Sequence, residues 1–117
     1  MALTMFGIAN CDTIKRARAW LDARGVPFDF HDYKKLGVNA DALRAWVDEL
    51  GWEVLLNKAG TTFRGLPDAD KQGVDAGKAV ALMLANPSMI KRPVLELGDR
   101  RIVGFRPETY AEVVGDQ

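Results

Sequence analysis

Apolar positions along this chain of 117 residues change their period several times, and each change marks an element. Leu3 to Ile8 is an apolar run of strand length that ends in small and polar residues. From Ile14 the spacing switches, since Ile14, Ala17, Trp20 and Leu21 recur at intervals of three and four, which predicts a helix with one buried face. Arg24-Gly25-Val26-Pro27 closes that helix with a glycine and a proline, and Phe28 to Tyr33 alternates as a half-buried strand does. A strand, a crossover helix and a second strand of this length predict parallel strands joined right-handedly. Residues at the end of the first strand are then exposed for chemistry.

The middle of the chain reads as a helical insert from 39 to 86. Lys34 to Asn39 is a polar, glycine-containing loop, after which Asn39 caps a helix with Leu43, Trp46, Val47 and Leu50 on one face, stopped by Gly51. Trp52 to Asn57 is a short apolar segment and Lys58 to Gly65 a polar turn. A short helix is predicted near Pro67, and a better one capped by Asp75 carries Ala79, Val80, Leu82, Met83 and Leu84. Beyond the break at Asn86-Pro87, Val94-Leu95-Glu96-Leu97 and Arg101 to Phe105 form a hairpin around Gly98-Asp99. Pro107 then opens a last helix whose apolar side is Tyr110, Val113 and Val114. The predicted order is β-α-β, helices, β-β-α.

Length and charge narrow the classes open to such a chain. It is the size of one domain, 1–117, able to bury a core without disulfide or metal staples. Sixteen basic residues balance sixteen acidic ones, so the broad basic footprint of a nucleic-acid binder is absent. One cysteine excludes an internal disulfide, and no apolar run approaches the roughly 20 residues that span a bilayer. The N-terminus carries neither the charged nor the long apolar region of a secretion signal. The expectation is a cytoplasmic monomer with no membrane partner. His31, set among Phe28, Phe30 and Tyr33 with no second ligand beside it, reads as structural, and no metal site is expected.

The chemistry centres on the one cysteine. Cys11 falls at or near the N-cap of the first predicted helix, where backbone N–H groups lack intrahelical partners and the helix dipole favours negative charge. For a thiol that negative form is the thiolate, the reactive species. Lys15, one turn on, and Arg16 and Arg18 add positive charge, while Asp12 opposes them unless it turns outward or caps the helix. Position alone balances this reading against a small buried hydrophobe.

The motifs Gly7-Ile8-Ala9-Asn10-Cys11-Asp12-Thr13-Ile14-Lys15, Leu55-Leu56-Asn57-Lys58 with Gly60-Thr61-Thr62-Phe63-Arg64, Ile90-Lys91-Arg92-Pro93 and Gly104-Phe105-Arg106-Pro107 carry a resemblance across essentially the whole chain. In this order and spacing they resemble the ArsC-type arsenate reductase and Spx family, within it the branch of small YffB-type proteins associated with glutathione-dependent thiol reduction. The resemblance implies an α/β, thioredoxin-like fold with a four-stranded mixed sheet, a nucleophilic Cys11, and Pro93 as the cis-proline that lies against the active-site cysteine in that fold. It also implies that Arg92 and Arg106 bind an anion. Apart from the resemblance each arginine reads as a surface charge.

The departures from the family pattern shape the expected function. Asn57 stands where the reductases carry an arginine, and each lost guanidinium fork removes charge-assisted hydrogen bonds of about 1.5–3 kcal/mol to an oxyanion. Arg64 is a candidate replacement. Gly7 stands where the reductases carry histidine, and Ile14 where the Spx branch often has its second cysteine, so a dithiol switch within this chain is excluded. The function these features imply is that of a glutathione-dependent thiol-disulfide oxidoreductase. Cys11 is the nucleophile, Lys15, Asn57, Arg64, Arg92 and Arg106 bind substrate or anion, no cofactor is bound, and glutathione or glutaredoxin acts as partner. Arsenate reduction and an Spx-like, non-catalytic module that binds RNA polymerase are the alternatives.

Overall fold

Switches of period become element boundaries in the structure, a computed structural model that describes residues 3–115. In chain order the elements are β1 (Leu3–Gly7), α1 (Asp12–Ala23), β2 (Asp29–Asp32), α2 (Tyr33–Leu36), α3 (Ala40–Leu50), α4 (Trp52–Leu55), α5 (Thr61–Arg64), α6 (Asp68–Lys71) and α7 (Ala76–Ala85). A 3-10 turn (Pro87–Met89) then leads to β3 (Val94–Leu97), β4 (Arg100–Val103) and α8 (Pro107–Val114). The chain divides into two compact units, one formed by residues up to Leu36 and from Arg92 onward, the other by Gly37–Lys91.

The first unit holds a four-stranded sheet in the order β2-β1-β3-β4, with β1 parallel to β2 and antiparallel to β3, and β4 antiparallel to β3. Alternation along β1 turns Leu3, Met5 and Gly7 to one face. There Leu3 and Met5 join Leu95 and Leu97 of β3, Ile14, Ala17 and Leu21 of α1, and Tyr110 of α8 in one core. Full burial of a large apolar side chain contributes about 1.5–3 kcal/mol, so these positions hold α1 and α8 on that face. Trp20, Phe105 and Tyr110 add edge-to-face contacts with ring centres 4.8 to 6.5 Å apart. Register then decides where loose ends meet. Gly7 pairs with Asp32, Phe6 with Val94, and Val94 with Val103. The residues that follow β1, β2 and β4 and those that precede β3 therefore share one end of the sheet.

The second unit is helical. Asn39 and Asp75 cap α3 and α7, their side-chain oxygens accepting the Ala42 and Lys78 N–H groups, both at 2.9 Å. Helix α3 packs on α4 and α7, and buries Leu43, Trp46 and Val47. Leu56 bridges to Ile90, and the Asn57 N–H donates to the Met89 carbonyl at 2.7 Å.

Three short helical turns depart from the sequence reading. Tyr33 leaves the second strand and opens α2 where loop is predicted from Lys34, because Asp32 Oδ1 accepts the Lys34 N–H at 2.9 Å and bends the chain. The turns α4 and α5 occupy segments read as apolar and polar connections. Each turn has four residues, too few for a 3.6-residue period to show. The last strand also ends at Val103, short of Phe105, since Gly104 at φ +85° turns the chain out of the sheet.

Candidate active site

Cys11 is the N-cap residue of α1, with extended backbone at φ −148° and ψ 127°. Its carbonyl accepts the Lys15 N–H at 2.9 Å and so starts the helix, while its own N–H donates to the Ala9 carbonyl at 3.0 Å. No side chain caps α1, in contrast to α3 and α7, whose caps are asparagine and aspartate. A thiol therefore sits where α3 and α7 place an oxygen acceptor. The N–H groups of the first turn receive no side-chain acceptor from the N-cap. The thiol is free and half-buried, packed against the edge of the core.

The charges around the thiol differ in how they are held. Asp12 is exposed and does not cap the helix. Lys15 is exposed on the next turn, whereas Arg16 lies over the Phe105 ring at 5.7 Å and Arg18 over Phe30 at 4.4 Å. Arg106 is exposed at the N-cap of α8, which also has no side-chain cap. It lines a hollow of about 110 Å³ with Thr109 and the end of β4.

Arg92 lies two residues before β3, and the Arg92-Pro93 peptide bond that leads into the strand is cis. The Pro93 carbonyl accepts the Gly104 N–H at 2.8 Å, extending the β3–β4 ladder to the end of the sheet. By register, Cys11, Lys15, Arg92, Pro93 and Arg106 thus belong to one unit and to one end of its sheet. Asn57 and Arg64 belong to the helical unit. Arg64 ends α5 and is exposed; Asn57 is half-buried with its amide folded over Gly60, where a methyl would stand 2.9 Å from Asn57 Nδ2. A larger hollow in that unit, about 430 Å³ between α3 and α7, carries Arg44 and Asp48 but no nucleophile.

One polar group at the sheet end has no counterpart in the sequence reading. Tyr33, first residue after β2, is only 3% exposed, and its hydroxyl has no hydrogen-bond partner. Its ring stacks on Phe6 at 6.5 Å and meets His31 edge-on at 6.0 Å. Burial pushes ionisation of the hydroxyl far above its ordinary range, and the Arg92 guanidinium draws it partly back. Tyr33 thus stays neutral, able to donate and accept. Among the described residues no helix is long and apolar enough to cross a membrane, and no group of three or more histidine, cysteine or acidic residues is gathered as a metal would require.

A mixed four-stranded sheet with a cysteine heading its first helix and a cis-proline before its third strand defines a thioredoxin-like protein. The chain belongs to the ArsC family, whose profile matches residues 6–113. Among solved structures it is similar to a protein named YFFB, at 56% identity and a TM-score of 0.92, over 95% of this chain and 97% of that one. It is also similar to an arsenate reductase (ArsC) related protein from Brucella melitensis, at 50% identity and a TM-score of 0.79, over 98% and 96%. The global transcriptional regulator Spx of Streptococcus mutans is 27% identical over 91% of this chain and 78% of its own length.

Proposed function

We propose that the protein is a monothiol oxidoreductase of a reducing, cytoplasmic compartment that uses glutathione as its thiol co-substrate. The observation that carries this is a free, half-buried cysteine at the uncapped start of α1, at the sheet end that also bears Arg92 and Arg106.

The reaction is dictated by having one cysteine. The Cys11 thiolate attacks the glutathione sulfur of a mixed disulfide; the new S–S bond forms as the old one breaks, and the departing thiolate takes the electron pair and then a proton. A second glutathione thiolate attacks the glutathione sulfur now bonded to Cys11, releasing oxidised glutathione and the Cys11 thiolate. The net change is one glutathione mixed disulfide reduced to a free thiol and one glutathione thiol oxidised, the two glutathione sulfurs leaving joined as oxidised glutathione. Arg92 and Arg106 serve the carboxylates of glutathione, for which a guanidinium offers two parallel N–H donors.

The test is to mix the reduced protein with oxidised glutathione and weigh it intact. A single glutathione adduct is expected, absent in Cys11→Ser and slowed about tenfold to a hundredfold in folded Arg92→Ala, the loss of about 1.5–3 kcal/mol of charge-assisted hydrogen bonding. A wild-type protein that takes up no glutathione sinks the proposal.

The likeness to Spx favours a second reading, a binding module without catalysis. Such a module keeps its partner in Cys11→Ser, whereas a reductase loses its activity. Arsenate is disfavoured as substrate by Asn57, which lacks the guanidinium that the family's reductases bring to an oxyanion.

A further inference from the structure

We propose that Tyr33 is a positioning residue for Arg92: when an anionic thiol such as glutathione binds, the Tyr33 hydroxyl oxygen accepts one guanidinium N–H and so aims the rest of the fork at the ligand carboxylate. This role rests on the glutathione reading and extends it to a residue outside the motifs.

Three observations lead to it. First, the Tyr33 hydroxyl is buried with no hydrogen-bond partner, a state that costs free energy and that native proteins tend to relieve. Second, register places Tyr33 and Arg92 at the same end of the sheet, Tyr33 directly after β2 and Arg92 two residues before β3, the two strands that flank β1. Third, burial raises ionisation of the Tyr33 hydroxyl and the Arg92 charge lowers it, which agrees with the placement that register gives the pair. A guanidinium has five N–H donors in a rigid fork and no acceptor, and a neutral hydroxyl offers the acceptor it lacks. Engaging one edge of the fork leaves the other for a carboxylate. The phenyl ring is fixed by Phe6 and His31, so the hydroxyl is a stationary reference while the long arginine side chain moves to it.

Tyr33→Phe separates this role from a structural one, because it keeps the packed ring and deletes only an unpartnered hydroxyl. Removing such a group leaves stability unchanged or raised. The readouts are thermal unfolding and the rate of mixed-disulfide formation at Cys11, measured with oxidised glutathione, which is anionic, and with 2-hydroxyethyl disulfide, which is neutral. Tyr33→Phe is expected to unfold no earlier than wild type, to react with oxidised glutathione about five- to tenfold more slowly at subsaturating concentration, and to react with the neutral disulfide at the wild-type rate. In an Arg92→Ala or Arg92→Lys background the Tyr33→Phe effect should vanish or shrink, as coupled neighbours require.

An unchanged rate with oxidised glutathione, equal slowing with both disulfides, or full additivity with Arg92→Ala would overturn the proposal while leaving the glutathione reading intact. Wild-type protein that forms no glutathione adduct would overturn both.

Discussion

Gly7 and Ile14 show how much of the site's character is set by space. A methyl built on Gly7 would run into Ile14 Cδ1 and stand 3.2 Å from its Cγ1, and Ile14 is fully buried on the first turn of α1. Gly7→Ala is therefore expected to destabilise the fold by about 1–3 kcal/mol through overpacking. Ile14→Val trims the colliding methyl, so the double variant should recover part of the loss. Chemical denaturation of the two single variants and the double one measures this, and strict additivity would mean that the two residues do not share the space. Individual residues of the site were only partly legible in the sequence. Cys11 could be placed at a helix start because the apolar period changes around it, and local backbone geometry follows from local sequence. Tyr33 could not be picked out. It looks like any strand-end aromatic, and whether its hydroxyl finds a partner depends on residues brought in by β1 and β3.

Helix starts differ in what caps them, and the difference falls on the reactive residue. Asparagine and aspartate cap α3 and α7, but α1 begins with cysteine, a poor cap. Cys11→Ser supplies a hydroxyl that can accept an N–H from the first turn, so this variant should be more stable than wild type by about 0.5–2 kcal/mol while unable to form a disulfide. Its denaturation midpoint checks this, and a lower midpoint would show that thiol packing against the core outweighs the cap. The long elements were readable because ten or more residues display a period and a cap. The turns α2, α4 and α5 were not, since a single helical turn gives one apolar contact at most and its conformation is decided by what it packs on.

The order in which the whole molecule folds depends on how the chain is threaded. The sheet unit is discontinuous: β1 must find β3 across the intervening helical unit, which is one unbroken stretch. Closing a long loop costs entropy before any sheet contact is gained, whereas α3 and α7 meet over a shorter span. In pulse-labelled hydrogen exchange during refolding, amides of α3 and α7 should gain protection before those pairing β1 with β3. Simultaneous protection would point to one cooperative nucleus spanning both units. The parallel β1–β2 pair and the β3–β4 hairpin were legible from element order, because a right-handed β-α-β crossover and a tight turn each allow one pairing, whereas the four-stranded mixed sheet that joins them was implied by the family resemblance.

The close fit of Gly7 and Ile14 also bears on descent. A side chain added at position 7 needs Ile14 to shift or to be shortened. A change at position 7 is therefore accepted most readily by a chain already made smaller at position 14.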